Sequence, residues 1–285
     1  MGIVTINDDF DLQKIADSGQ AFRIKGFEKG FFRFVCGPDI IYIRHVSGND
    51  FEIKTFDASG SQTSDEKKWE KVWKNYFDIS RNYAAIRKSV PLSDEFLNRA
   101  CENGKGLRIL RQDPWEMIIS FITSQRKSIP AIKSSIEDIC MKYGKSVDTC
   151  FEKLFLFPSP SEMRGATGDD LKNCKLGYRV PYIEDAVKRV LLADPNPYEL
   201  YDLDYDSLFS MLKEIKGIGD KVANCICLFA YAKTEAAPVD TWIAKVIDKY
   251  YDGKNPFPSY GNTAGIMQQY VFYYALTHKF TVNSD

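Results

Sequence analysis

The sequence predicts an α+β protein, with a small N-terminal antiparallel β-sheet domain followed by an α-helical bundle. Residues 20–56 fall into short segments that alternate apolar and polar side chains and break at Gly, Pro, Asn or Asp, which is typical of strands. After residue 66 the apolar residues recur at helical spacing. The chain has 285 residues, of which 44% are hydrophobic, so it can bury a large core. We therefore expect two domains, residues 1–112 and residues 113–285.

Each element follows from its local pattern. A short amphipathic helix is expected over residues 10–17, because Gly19 provides a natural C-terminal cap. Strands follow at residues 21–26, 31–37, 39–46 and 50–56, and a polar connector over 59–66 separates them from the helices. Pro114 favours the start of a helix at that position. The predicted helices cover residues 66–77, 82–89, 93–103, 114–126, 128–143, 179–193, 205–214, 219–232, 241–250 and 263–278.

Composition excludes several classes of protein. The net charge of −1 gives no global sign of nucleic-acid binding, so DNA contacts must come from local groups. The seven cysteines include no CxxC pair, and the chain has two histidines; we expect no iron–sulfur cluster, no zinc site and no cofactor required for catalysis. This cysteine usage favours a reducing, intracellular compartment: the cytoplasm or nucleoid of a bacterium or archaeon, or the nucleus of a eukaryote.

The sequence carries no pattern typical of a membrane protein. Its start lacks the basic-then-apolar order of a signal peptide, and Ile6 stands where N-acylation requires Ser or Thr. The longest nearly apolar run, residues 222–232, is too short to span a bilayer. We expect a soluble protein with no membrane partner.

The most informative segment is KGIGDKVANCICLFAYAKTEAAPVDTW, residues 216–242. Gly217 and Gly219 permit a tight hairpin between two helices, in which backbone N–H groups and the positive end of the second helix converge on an anion. A dinucleotide-binding turn fits poorly, because Val222 takes the place of its third glycine and a helix precedes the turn. The hairpin by itself leaves a plain connector equally open.

Two residues after the hairpin have side chains suited to catalysis. Lys221 lies in the first turn of the second helix, on one face with Cys225, where burial and the positive helix end favour a neutral, nucleophilic amine. Asp240 is expected to cap the next helix, where backbone donors keep its carboxylate ionised and able to stabilise positive charge on a sugar. A surface lysine and a simple helix cap are the structural alternatives.

Together these segments resemble the helix-hairpin-helix DNA glycosylases, and among them the 8-oxoguanine DNA glycosylases, which are bifunctional and carry a lysine in the second helix of the hairpin. The resemblance extends over nearly the whole chain in the order of the family's motifs. SGQAFR at residues 18–23 is similar to the N-terminal substrate-recognition motif. KVANCICL at 221–228 and APVD at 237–240 are similar to the catalytic block, and AGIMQQYVF at 264–272 to the C-terminal helix that closes the base pocket.

The resemblance implies a pocket for 8-oxoguanine flipped out of double-stranded DNA. The Gly19 carbonyl would accept a hydrogen bond from N7–H of the lesion, where guanine offers a lone pair instead. Gln268 would contact the Watson–Crick edge, and Cys225 and Phe272 would sandwich the ring. Pro238 is assigned to the same pocket.

The resemblance also implies a mechanism and a DNA-binding surface. Lys221 would attack C1′, expel the base and form a Schiff base that permits β-elimination of the 3′ phosphate, while Asp240 would stabilise charge on the sugar. The asymmetric substrate favours a monomer. DNA contacts are implied for the hairpin backbone, for a tyrosine that wedges between the strands with its neighbouring arginine, and for a loop that fills the space left by the flipped base. These residues, with the tryptophan after the hairpin, are Gly217, Gly219, Val222, Tyr178, Arg179, Arg126, Lys127 and Trp242.

Two departures from the family pattern affect these expectations. Relatives have a second arginine that reads the estranged cytosine where Pro130 and Ala131 stand here, so we expect a relaxed preference for cytosine opposite the lesion. Trp242 replaces a histidine that commonly contacts phosphate. The family hairpin also often binds a structural monovalent or calcium ion through main-chain carbonyls, which here would be those of Lys213, Ile215 and Ile218.

Two other DNA-related functions remain open from the sequence, as does a purely structural or metabolic α+β protein. A monofunctional alkyl-base glycosylase of the same superfamily also has a β-rich N-terminal part, but such enzymes lack the hairpin lysine. A non-catalytic helix-hairpin-helix protein would bind DNA without cutting the sugar–base bond. Covalent trapping on a damaged duplex distinguishes both from the bifunctional enzyme.

Overall fold

The computed structural model describes residues 2–278 and confirms the α+β architecture. Residue 1 and residues 279–285, at the outer ends of the two predicted domains, lie outside the described residues. The strands of the N-terminal sheet are β1 (Gly2–Thr5), β2 (Lys25–Gly26), β3 (Phe32–Cys36), β4 (Asp39–Ser47) and β5 (Asp50–Phe56). They are antiparallel and lie in the order β1-β5-β4-β3-β2.

Two strands of the N-terminal sheet differ from the sequence prediction. β1 has no predicted counterpart; it pairs with β5 and places Val4 opposite Phe51. The strand predicted over residues 21–26 shortens to Lys25–Gly26, because the preceding residues leave the sheet and Phe22 packs into the helical core. This segment therefore connects the two parts of the molecule instead of extending the sheet.

Every predicted helix is present, with differences at its ends, in one interruption and in one additional helix. The predicted helix over 66–77 is formed by α2 and α3, which are joined by a π-helical segment at Trp69–Trp73. α8 was not predicted, nor was a small hairpin of strands β6 (Ser146–Asp148) and β7 (Lys153–Phe155). The helices are α1 (Leu12–Asp17), α2 (Asp65–Lys68), α3 (Lys74–Tyr76), α4 (Tyr83–Lys88), α5 (Glu95–Asn103), α6 (Pro114–Ser124), α7 (Ile129–Tyr143), α8 (Gly168–Asn173), α9 (Val180–Leu191), α10 (Tyr205–Lys213), α11 (Asp220–Phe229), α12 (Thr241–Tyr250) and α13 (Ala264–Thr277).

Helix α6 shows how local chemistry fixes these ends. Asp113 caps its start and accepts a hydrogen bond of 2.9 Å from the Glu116 N–H, while Pro114 occupies the first position. Its last helical residue is Ser124, because Gln125 leaves the helical region and Arg126 adopts a φ of 50°. The helix is thus two residues shorter than predicted, and residues 125–128 form a loop.

The described residues form three apolar clusters. One face of the sheet packs against the α2–α3 segment through side chains such as Phe34, Ile43 and Trp73. A second cluster contains side chains of β4 and of the β6–β7 hairpin. The largest lies among the helices, and it includes Leu97 of α5 together with Tyr270 of α13. Since α4 and α5 precede residue 112 yet pack with the later helices, packing crosses the proposed domain boundary, which remains a prediction. No helix between residues 2 and 278 is both long and apolar enough to cross a membrane.

Candidate active site

A small cavity of about 60 Å³ lies where the sheet-to-helix connection, the hairpin and the last helix meet. It collects side chains from positions far apart in the chain, including all seven residues that the sequence assigns to catalysis and base binding. The lining residues are Gly19, Phe121, Lys221, Cys225, Phe229, Pro238, Asp240, Gln268, Gln269 and Phe272.

Gly19 is held at the cavity by buried amides. Gln20 donates to the Ser18 Oγ and the Arg108 carbonyl, each at 2.8 Å, and Gln269 of α13 donates to the Ser18 carbonyl at 2.8 Å. Gly19 itself has a φ of 74°, which disfavours any side chain. A Cβ atom placed there would lie 3.1 Å from Cε1 of Phe272, so the phenyl ring sits directly against this glycine.

Lys221 enters the cavity from the first turn of α11, which Gly219 begins. Its Nζ lies 5.5 Å from the centroid of the Phe121 ring, within the range of a cation–π contact. One turn later Cys225 is buried, and burial raises the pKa of its thiol, while the charge and hydrogen bond of Lys221 oppose that rise. The amine is therefore half-buried between an aromatic ring and a protonated thiol.

Asp240 caps α12, as the sequence predicts. Its Oδ1 accepts hydrogen bonds from the N–H groups of Trp242 at 3.0 Å and Ile243 at 2.8 Å. These two bonds fix the carboxylate at the cavity wall while the residue stays half-buried. An oriented carboxylate in the same cavity as an amine can stabilise positive charge that develops there.

Gln268 offers an unpaired polar group to the cavity. The residue is 3% exposed, and its Oε1 finds no hydrogen-bond partner within the described residues. A buried acceptor without a partner costs free energy, so the pocket favours a ligand that donates a hydrogen bond there. Phe272, one turn further along α13, is only partly buried.

The hairpin between α10 and α11 has the geometry of an anion site. Gly217 has a φ of 87°, and a Cβ there would lie 2.5 Å from the Tyr182 ring, so only glycine fits. At Gly219 a Cβ would meet no described atom within 4 Å, which leaves the start of α11 open to an approaching group. The first N–H groups of α11, including that of Val222, have no partner within the helix and suit a phosphate.

The predicted wedge residues lie on a turn beside the hairpin. Tyr178 is 50% exposed, and its ring lies 4.4 Å from the Cζ of Arg179. Arg179 is 5% exposed, because its guanidinium donates to the carbonyls of Leu176 and Gln125. The structure thus presents the tyrosine outward and turns the arginine inward.

The remaining predicted DNA contacts flank this turn. Arg126 is exposed, whereas Lys127 is half-buried and donates to the Ser135 hydroxyl and, at 2.7 Å, to the Lys175 carbonyl. Burial, then the nearby charges of Arg179 and Lys175, lower the pKa of Lys127. Trp242, half-buried at the start of α12, lies under the Nζ of Lys245 at 5.7 Å.

Comparison with known proteins identifies the family. Residues 3–118 match the family model of the 8-oxoguanine DNA glycosylase N-terminal domain, and residues 119–270 match that of the HhH-GPD superfamily of base excision DNA repair proteins. The chain belongs to the 8-oxoguanine DNA glycosylases of the HhH-GPD superfamily. The resemblance inferred from the sequence motifs is confirmed.

Several relatives of this glycosylase match nearly its whole length. A probable N-glycosylase/DNA lyase of Methanothermobacter thermautotrophicus is 31% identical over 94% of each chain. The 8-oxoguanine glycosylase/lyase of Clostridium acetobutylicum, solved with double-stranded DNA containing cytosine opposite 8-oxoguanine, is 31% identical with a TM-score of 0.87, covering 98% of this chain and 99% of that one. A 3-methyladenine DNA glycosylase of Archaeoglobus fulgidus shares the fold at 16% identity and a TM-score of 0.77, covering 99% of this chain and 100% of that one.

Sequence reasoning about this glycosylase missed part of the cavity wall. Phe121 and Phe229 line it as a stacked pair with ring centroids 5.6 Å apart. α6 is buried along nearly its whole length, so no periodicity distinguishes the position that faces the pocket. Gln269 lies in a recognisable motif, but nothing in the motif indicates its bond to Ser18, which joins residues 251 positions apart.

Among the described residues, the hairpin backbone, and not a cluster of side chains, offers the oxygen atoms that could hold a metal ion. Between residues 2 and 278 no three His, Cys, Asp or Glu side chains group as a metal site. In the hairpin the Ile215 carbonyl already accepts the Ile218 N–H at 3.1 Å, and Lys213 Nζ pairs with Asp220 Oδ1 at 2.6 Å. Main-chain carbonyls of this kind are hard oxygen donors, which suit a monovalent ion or calcium.

Proposed function

We propose that this protein is a bifunctional DNA glycosylase and AP lyase that removes 8-oxoguanine from duplex DNA. The observation that carries the proposal is the meeting of Lys221 and Asp240 in one cavity with Gly19 and Gln268. Relatives named N-glycosylase/DNA lyase and 8-oxoguanine glycosylase/lyase support the same activity. The partner is double-stranded DNA; a monomeric state and an intracellular location remain predictions.

Base recognition follows from the cavity wall. The Gly19 carbonyl accepts N7–H of the flipped lesion, and the unpaired Gln268 Oε1 accepts an N–H from its Watson–Crick edge. At about 60 Å³ the cavity is smaller than the ~300 Å³ or more of ordinary ligand pockets. A purine therefore enters only when the Phe272 ring moves off Gly19, and it is then held between that ring and Cys225. Pro238 completes the wall.

The chemistry proceeds through the lysine. The neutral amine of Lys221 attacks C1′, the glycosidic bond breaks, and the base leaves with the bonding electron pair and acquires a proton. The amine then loses a proton and the sugar ring opens to a Schiff base. Loss of a proton from C2′ expels the 3′ phosphate, and water releases the lysine. Asp240 stabilises the positive charge on the sugar before the new bond is complete; no step requires a cofactor.

The proposed DNA contacts near the lesion are made to two phosphate groups. The backbone of Gly217, Gly219 and Val222 holds a phosphate at the hairpin, and Trp242 offers an indole N–H to another. When bound, an ion on the Lys213, Ile215 and Ile218 carbonyls would stabilise the hairpin and take no part in the reaction.

Strand separation is the task of the wedge residues. Tyr178 wedges into the duplex, while Arg126 and Lys127 fill the space left by the flipped base. Contact between Arg179 and the orphaned base requires its guanidinium to leave the Gln125 carbonyl. Pro130 and Ala131 supply no second arginine, so the preference for cytosine opposite the lesion is relaxed.

The test is borohydride trapping on a duplex with 8-oxoguanine. The unaltered protein is expected to form a covalent adduct, and Lys221→Gln to lose both the adduct and strand cleavage. Lys153→Gln, on the exposed side of β7, is the matched control and should trap like the parent. A monofunctional alkyl-base glycosylase or a non-catalytic DNA-binding protein would give no adduct from the unaltered chain. Trapping that survives Lys221→Gln would remove the lysine from the mechanism.

A further inference from the structure

Gln125 lies where three DNA-facing parts of the protein meet. It follows the last residue of α6, starts the loop that carries Arg126, and is half-buried beside the hairpin and the Tyr178–Arg179 turn. None of the proposed catalytic steps involves the Gln125 side chain.

The side-chain amide of Gln125 connects α6 to the hairpin. Its Nε2 donates to the Ile122 carbonyl at 3.1 Å, within α6, and to the Gly217 carbonyl at 3.0 Å, in the hairpin. Both amide hydrogens thus point at carbonyl oxygens, which fixes the orientation of the group.

The hairpin is held from the opposite side as well. The Tyr182 ring packs against Gly217 so closely that a Cβ there would lie 2.5 Å from it. The Lys216 N–H donates to Asp185 Oδ2 at 2.9 Å. Gln125 therefore closes a clamp in which the hairpin turn cannot slide relative to α6 without breaking a hydrogen bond.

The main chain of the same residue holds the wedge turn. The Gln125 carbonyl accepts from Arg179 Nε at 2.9 Å and from the Tyr178 hydroxyl at 3.4 Å. One residue thus connects the phosphate-binding hairpin to the turn that carries Tyr178, and the Arg179 bond is the part of this connection that opens when the guanidinium turns to the orphaned base.

We propose that Gln125 is a positioning residue, whose amide keeps the hairpin in register with the wedge loop while the lesion is flipped. The inference rests on the proposed function and adds to it a residue that touches neither base nor sugar. The amide matters while the base pair is opened, and it matters little once the lesion is unpaired.

The experiment compares single-turnover excision by Gln125→Met, which keeps the length but removes the donors, on two duplexes. With 8-oxoguanine opposite cytosine, the rate is expected to fall about tenfold, the effect of one lost hydrogen bond in the transition state. With 8-oxoguanine opposite an abasic site, where the lesion is already unpaired, the rate is expected to stay within about twofold. Gln125→Glu, which turns acceptors toward both carbonyls, should be at least as slow on the paired duplex.

Ser124→Ala is the matched control, because the partner of the Ser124 hydroxyl between residues 2 and 278 lies within α6, the Phe121 carbonyl at 2.8 Å. It should leave both rates unchanged. Equal slowing of Gln125→Met on the two duplexes, accompanied by a lower melting temperature, would assign the amide a merely structural role and overturn the proposal. Parental rates on both duplexes would overturn it too, while borohydride trapping by the unaltered protein would leave the proposed function standing.

Discussion

The side-chain amide of Gln269 donates a hydrogen bond of 2.8 Å to the main-chain carbonyl of Ser18. Both residues are buried, at 2% and 0% exposure, and the bond joins the last helix to the turn that carries Gly19. The position of the carbonyl proposed to recognise the lesion therefore depends on a residue at the other end of the fold.

Replacement of Gln269 by Leu should weaken recognition of the damaged base more than it weakens cleavage of the DNA strand. The unpaired Ser18 carbonyl is expected to lower the free energy of unfolding by about 1–3 kcal/mol. Excision of 8-oxoguanine should fall further than cleavage at a preformed abasic site, which has no base to recognise. Gln13→Leu removes an exposed side-chain bond to Asp17 and should change neither. Equal losses in the two assays would contradict this.

Gly19→Ala should abolish base excision because the new methyl group clashes with Phe272. Gly30 has no such neighbour among the described residues and serves as the control. Gly19 and Gly30 have similar φ values, 74° and 77°, so alanine costs roughly 1–2 kcal/mol of backbone strain at either position. A Cβ at Gly19 meets Phe272 at 3.1 Å, whereas one at Gly30 meets no described atom within 4 Å. Denaturant unfolding should show that both variants are destabilised to a similar degree. The rate of base excision should fall by more than about tenfold in Gly19→Ala alone. The idea fails if Gly30→Ala is equally inactive.

The two hairpin glycines should respond differently to alanine. Gly217→Ala introduces a Cβ 2.5 Å from Tyr182 at a φ of 87°, so the protein should lose stability. Gly219→Ala meets open space and should fold like the parent, yet its methyl group occupies the approach to the helix start. The melting temperature reports the loss of stability in Gly217→Ala. The affinity for a DNA duplex at fixed salt concentration reports the loss of phosphate binding in Gly219→Ala. Unchanged affinity in Gly219→Ala would argue against phosphate binding there.

Stability should fall as the pH rises toward neutrality because of Glu116. Burial raises the pKa of this carboxyl from its ordinary 4.5 to about 7, and Arg23, whose Nη1 lies 3.8 Å away, only partly offsets this. A pKa that is higher in the folded state adds stability below about pH 4.5, and this is lost as the pH rises through about 7. The expected loss is about 3 kcal/mol.

Denaturant unfolding from pH 4 to 8 measures this loss. Glu116→Gln should flatten that part of the profile. Glu70→Gln, with a side chain that is 58% exposed, should leave it unchanged. An identical pH profile for Glu116→Gln and the parent would assign the effect to another group.

Opposite-base selectivity should be weak. The position of the second cytosine-reading arginine is taken by Pro130 and Ala131, and Arg179 is engaged with Gln125. Single-turnover excision from duplexes with C, A, G or T opposite the lesion should therefore differ by less than about tenfold, the share of one bidentate base contact. A steep preference for cytosine would show that another residue reads the orphaned base.

The sequence predicts this site well where chemistry is concentrated in local motifs. Gly19, Lys221 and Gln268 lie in three separate segments, each with its own pattern, and the fold brings them to one cavity. The fold class follows from periodicity for the same reason. β1 and the β6–β7 hairpin escape prediction because strands of three or four residues carry too little alternation.

The sequence could not predict contacts that depend on tertiary packing. These occur where a helix is apolar on every side, or where the neighbouring residues are those of an exposed segment. Phe121 lies in a helix buried on all sides, so its neighbours depend on the tertiary arrangement. Arg179 has the sequence context of a surface residue, yet it is 5% exposed because a main-chain carbonyl receives its guanidinium. No sequence pattern indicates the role proposed for Gln125, since its side chain bonds to a backbone oxygen 92 residues away.

The dependence of the pocket on α13 has a consequence for the order of events during synthesis. A ribosome delivers the hairpin and its amine before the residues that complete the recognition wall. Until α13 packs against the Ser18 turn, Gln268 and Phe272 are missing from the proposed recognition wall. The proposed selection of the damaged base therefore requires a chain that has been synthesised through α13.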